Sequence, residues 1–186
     1  MKHISYIIAA LTVVCCVSAC QEKKNNPTVA PNAELTEAKP VADTTVYGKV
    51  IDGGQSVLQL QTDTGDTIEY VLETPEGESV SVLGGYNVGD RLAIIATKFN
   101  GENLVTKAIN LLSLQGHWTS LDKNFTIEED GTVKSDVKAE SNPWTSWKIL
   151  NGKLLLNKQA FDIDQLGSDS LALEDSTGIY VFKRQK

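Results

Sequence analysis

Trp144-Thr145-Ser146-Trp147-Lys148-Ile149-Leu150-Asn151-Gly152-Lys153-Leu154-Leu155-Leu156-Asn157 carries the clearest structural signal in this chain. Asn-Gly between two short apolar runs is the strongest local signal for a β-hairpin, because both central residues of a type I′ turn need positive φ. No window around it sustains helical spacing over three turns. The same texture of short runs ended by Gly, Asn or Asp continues in both directions, which predicts an all-β sandwich or barrel.

Working outward, residues 159–164, 170–174 and 179–184 follow the hairpin, while Gly116-His117-Trp118, Phe125-Thr126-Ile127 and residues 132–138 precede it. With 144–150 and 153–157 they make up to eight short strands in residues 114–186. Upstream, residues 46–51, 56–62, 67–72, 91–97 and 103–112 read as five strands, with turns at Asp52-Gly53-Gly54, Gly89-Asp90 and Asn100-Gly101. A segment over 80–88 carrying Gly84-Gly85 interrupts the series before the fourth strand. Five strands so arranged over residues 44–113 look like an OB-type small barrel, with a generic five-stranded meander as the alternative.

The chain has 186 residues, 17 Lys and Arg, 24 Asp and Glu, and 41% apolar residues, which fits one or two small domains. All fourteen glycines and eleven of the twelve aromatics lie from Thr44 onward. Gln21 through Asp43 holds three of the five prolines and no aromatic residue, so residues 20–43 read as a flexible linker.

Residues 1–19 have the three parts of a signal peptide: Lys2 and His3, an apolar core over 4–17, then Ser18 and Ala19. That core is shorter than the ~20 apolar residues that span a bilayer. Val17-Ser18-Ala19-Cys20 resembles the bacterial lipobox, which implies lipidation of Cys20 and cleavage in front of it. Acyl chains contribute roughly 0.8 kcal/mol per buried methylene, so the expected partner of the mature amino end is a membrane. The order Glu22, Lys23, Lys24 lacks an acid-rich surface-export signal. The expectation is therefore an outer-membrane lipoprotein facing the periplasm.

Removing residues 1–19, which hold one lysine and no acid, moves the formal charge from −7 to −8. Such a surface repels phosphate backbones, so nucleic acid is excluded as an expected partner. Cys20 is the last cysteine, so the mature chain has no internal disulfide and no thiolate metal site.

Gly116-x-Trp118, Glu129-Asp130-Gly131-Thr132, Ser146-Trp147-Lys148, Asn151-Gly152-Lys153-Leu154, Asp169-Ser170-Leu171 and the closing Tyr180-Val181-Phe182-Lys183-Arg184 resemble the lipocalin-like domains of Gram-negative envelope lipoproteins. The resemblance covers residues 114–185. It implies that Trp118 opens the first strand and that Arg184 covers its indole, both as structural residues. The pairing with an OB-like barrel is similar to the NlpE group, but the domain order is reversed and the Cys-x-x-Cys of that group is absent. Thiol-based metal or redox sensing is not implied.

Catalytic chemistry finds little to stand on. Asp63-Thr64-Gly65 spells an aspartic-protease triplet without a second copy, and reads as a hairpin turn. His117 has no ligand-type partner at metal spacing. Glu128-Glu129-Asp130 and the pair Asp162 and Asp164 lack the alternation of a calcium loop, so no metal or cofactor is expected. Trp144 and Trp147, three apart in one strand, should face opposite sides. Trp147 is expected inside and Trp144 nearer the rim, as the candidate contact for a partner.

These readings lead to a non-enzymatic envelope lipoprotein, a tethered binding or sensing module for another envelope component. The alternative is a carrier of a small apolar ligand, in a cavity lined by Phe125, Ile127, Phe161, Leu171 and Phe182. Two domains of about 70 residues are each marginal alone, so a shared apolar interface is expected.

Overall fold

A computed structural model describes residues 42–137 and 141–185. The leader 1–19, Cys20 and all but the end of the linker lie outside the described residues. Both barrels fall within one compact unit, Val41–Lys186.

Strands β1 (Val46–Gly53), β2 (Val57–Thr62), β3 (Thr67–Val71), β4 (Arg91–Phe99) and β5 (Glu102–Asn110) close a barrel in the order β1-β2-β3-β5-β4, with β4 returning to β1. The pairing is antiparallel except for β3 beside β5, which is parallel at Val71 and Leu104. This is the expected OB-like order. Alternating residues fill the interior, with Val50, Leu58, Leu60, Tyr70, Leu92 and Ile94 all buried. Bulges after Val50 and Ile95 supply the bending that so few strands need in order to close.

The segment over 80–88 that interrupts the series runs beside β5, with Leu83 bridged to Ile109. Leu83 exchanges backbone bonds with that strand, its amide donating to Ala108 O and its carbonyl accepting from Asn110 N, each at 2.9 Å. Gly84, at φ +88, follows; a Cβ there would meet Ser113 at 2.6 Å and Leu166 at 3.1 Å, so the two domains meet too closely here for a side chain. The last strand also ends earlier than its apolar run suggests. Asn110 turns the chain into the short helix α1 (Leu111–Leu114), its Oδ1 accepting from Ser113 N at 3.1 Å as an N-cap.

The second domain has the eight strands expected: β6 (Gly116–Thr119), β7 (Asn124–Ile127), β8 (Val133–Ser135), β9 (Trp147–Leu150), β10 (Lys153–Leu156), β11 (Gln159–Leu166), β12 (Ser170–Asp175) and β13 (Gly178–Arg184). Consecutive strands pair antiparallel except β8 with β9, and β13 pairs back to β6, as in a nearly closed up-and-down, lipocalin-like barrel. The seam between β8 and β9 is held by a bridge from Thr132 to Ser146, with Val133 N to Thr145 O at 3.0 Å and Trp147 N to Gly131 O at 2.8 Å. Asn151 at φ 49 and Gly152 at φ 76 form the predicted two-residue turn.

The two domains share apolar cover, as expected. Ala93, Ile109, Leu111 and Leu114 belong to the same buried cluster as the interior of the second barrel, with Tyr47 and Leu83 packed against it. Polar contacts lock the same junction. Thr44 N donates to Asn151 Oδ1 at 2.8 Å, Asn151 N to Thr45 Oγ1 at 2.9 Å, and Gly84 N to Leu166 O at 3.1 Å.

Candidate partner-binding groove

The second barrel is filled by its own side chains. Phe125, Phe161 and Phe182 are buried, and Phe125 meets Phe182 edge-on at 5.1 Å between ring centroids. Trp144 corrects its sequence expectation: it is only 9% exposed, with its ring 5.0 Å from Phe125 and 5.7 Å from Phe161, both edge-on. The reason is that β9 begins at Trp147, not at Trp144, so strand alternation does not apply between the two. The chain before β9 folds over the end of the barrel and drops Trp144 into it like a stopper, with Lys123 Nζ 4.5 Å from the ring centroid. Burial lowers the Lys123 ammonium below the ordinary lysine value. Trp147 is the half-buried one, its Nε1 donating to Glu128 O at 2.6 Å across the β8–β9 seam.

At the opposite end, Trp118 is fully buried and its Nε1 donates to Leu114 O at 2.9 Å. The Arg184 guanidinium lies 4.1 Å from the Trp118 centroid, the stacking that the lipocalin-like resemblance implies. The same group donates to Gln115 O at 2.6 Å, to Ser168 O at 2.7 Å and to Ser113 O. Burial lowers its pKa, but an arginine stays charged. Both residues join the start of β6 to the end of β13 and hold α1 beneath them.

The remaining candidates occupy ordinary positions. Asp63-Thr64-Gly65 forms the β2–β3 turn, with Gly65 at φ +95 and Asp63 paired to Arg91. Glu128 pairs with Lys134 at 2.7 Å, and Asp130 accepts from Thr132 N at 2.9 Å within a turn. Asp162 accepts from Lys153 at 2.6 Å and from Lys107 of the first barrel at 3.4 Å. His117 has neighbours that the sequence did not reveal, because β7 and the chain after β8 fold beside it: Asn124, and Asp136 at 3.3 Å. Among the described residues no group of three His, Cys, Asp or Glu is placed to hold a metal ion.

Among the exposed apolar residues, one group gathers on the outer wall of the second barrel. Strand β6 pairs with β13 only at Thr119 with Lys183 and Trp118 with Arg184, then the chain peels away through residues 120–123, where Ser120 N bonds Lys123 O at 2.7 Å. The departure opens a groove of about 580 Å³ between that loop and β13, lined by Leu121, Asp122, Ile179, Tyr180, Val181 and Lys183 among others. Leu121 is fully exposed, and Ile179 and Val181 are 60% and 61% exposed. The sequence carried a signal for this surface: Ile179-Tyr180-Val181-Phe182 is four apolar residues in succession, and a strand sends alternate residues to opposite faces. Phe182 goes inside, so Ile179 and Val181 must lie outside.

No family model, curated protein or solved structure matches this chain.

Proposed function

We propose that this chain is a non-enzymatic envelope lipoprotein, tethered through a lipidated Cys20 and recognising another envelope component on the outer surface of its barrels. The tether rests on the three-part leader ending in Val17-Ser18-Ala19-Cys20. The recognition surface rests on one observation: the interior of β6–β13 is packed with Phe125, Trp144, Phe161 and Phe182, while Leu121, Ile179 and Val181 stand uncovered outside it. Packing of the interior favours recognition on the outside over carriage of an apolar ligand within. The relationship to lipocalin-like envelope lipoproteins remains part of the same proposal.

Two measurements test it. Radiolabelled fatty acid should enter the wild-type chain and not Cys20→Ala, and the variant should leave the membrane fraction. Photo-crosslinking in intact cells from a probe residue at position 121 should capture one discrete partner. An unlabelled wild-type chain, or no capture from any outer-wall position, overturns the reading.

A further inference from the structure

The backbone of β13 shows what kind of partner the groove fits. Arg184 N donates toward β12, to Asp169 O at 2.9 Å, and Gln185 N donates toward β6, to His117 O at 2.9 Å. The β13 register runs unbroken from Gly178 to Arg184, so amide and carbonyl directions alternate along it. Ile179 and Val181 therefore aim their N–H and C=O groups away from β12, into the groove. No described strand pairs with them there. Their side chains are exposed and apolar, and Ile179-Tyr180-Val181 includes none of the charges or prolines that natural edge strands use to repel a further strand.

We infer that Ile179–Val181 is a strand-addition site that takes an extended, net-basic segment of another protein carrying β-branched residues at alternate positions. This deepens the outer-surface reading above and rests on it. An added strand continues the direction of β6 past Thr119, lies about 4.8 Å from β13 and bonds both edge residues. Its alternate side chains then stand beside Ile179 and Val181, with Leu121 on the other wall. The basic character follows from charge: Asp122 lines the groove and Glu174 sits beside Ile179 in the sheet, and neither has a cationic partner among the described residues. Against them stands Lys183, on a chain of net charge −7. A second copy fits less well, because residues 120–123 wall off the far side of the groove, each copy would bring its own wall, and both are acidic.

The test uses the full lipidated chain in detergent micelles and an acetylated, amidated peptide, Lys-Lys-Val-Thr-Val-Thr-Lys-Lys. Saturating peptide should slow amide exchange at Ile179 and Val181 at least tenfold. Val181→Pro should weaken binding at least tenfold, since it removes an edge donor that β12 does not use. The peptide with glutamate in place of lysine should bind at least tenfold more weakly. Binding without protection at these two amides, or undiminished by Val181→Pro, overturns the inference. If that variant does not fold, Val181→Lys replaces it with the same expectation against the basic peptide. A dimer abolished by the same substitution overturns it in favour of self-pairing. A partner crosslinked in cells from position 121 that persists in Val181→Pro also overturns strand addition while leaving the outer-surface reading intact, whereas no capture from any outer-wall position removes that reading itself.

Discussion

The hydroxyl of Tyr47 in the first barrel donates to the carbonyl of Ile149 in the second at 2.6 Å, across 102 residues of sequence. The ring packs against the core that the domains share, so one side chain gives both apolar cover and a polar tie at the junction. Tyr47→Phe retains the first and loses the second. A net loss of about 1 kcal/mol is expected for one part-buried bond. Urea unfolding should show a lower midpoint with an unchanged slope, and one transition for both barrels in the wild type.

Trp144→Ala should destabilise the fold rather than weaken recognition selectively. Removing a large aromatic from a packed core costs about 3–5 kcal/mol, and Trp144 contacts Phe125, Phe161 and Phe182. Equilibrium unfolding with near-ultraviolet circular dichroism measures the loss. A variant of wild-type stability would contradict the stopper role.

Arg184→Lys keeps the charge and loses the fork. Lysine cannot reach Ser113 O, Gln115 O and Ser168 O together while lying flat on Trp118. The expected loss is about 1–3 kcal/mol, combining the cation–π contact with charge-assisted bonds to carbonyls. Gly116→Ala should be similarly harmful, because Gly116 sits at φ +124 and a Cβ there collides with the same guanidinium. Thermal unfolding followed by tryptophan fluorescence reads both.

Asp162 gives the pH dependence of the junction. The hydrogen bond from Lys153, with Lys107 beyond it, holds its carboxyl below the ordinary aspartate value of 3.8. A carboxyl depressed in the folded state stabilises the fold above its unfolded pKa, and that contribution fades as pH falls through the folded value. The stability difference between wild type and Asp162→Asn should therefore be complete at neutral pH and shrink below about 3.8. The carboxylate is 42% exposed, so solvent screens it and the effect is small. Denaturant midpoints across an acid series would show it, and a difference constant with pH would refute the assignment.

Features with a local cause were legible from residue types alone. Positive φ at Asn151-Gly152 and Asn100-Gly101 is a property of those residue types, so both hairpins were legible. Strand alternation carried the eight-strand count of the second domain, and the stack of Arg184 on Trp118 followed from the family resemblance. The identity of the buried tryptophan depended on where β9 starts, which is set by the bridge from Thr132 to Ser146 and by Asn157, whose Oδ1 accepts from Thr145 N at 2.8 Å. Those contacts join segments that the sequence does not align. The open edge of β13 likewise exists because β6 pairs only with its last two residues, Lys183 and Arg184, and leaves the start of the strand without that neighbour. The run from Ile179 to Phe182 implied apolar residues outside, yet only strand pairing, a relation between distant segments, decided that no described strand pairs beside them.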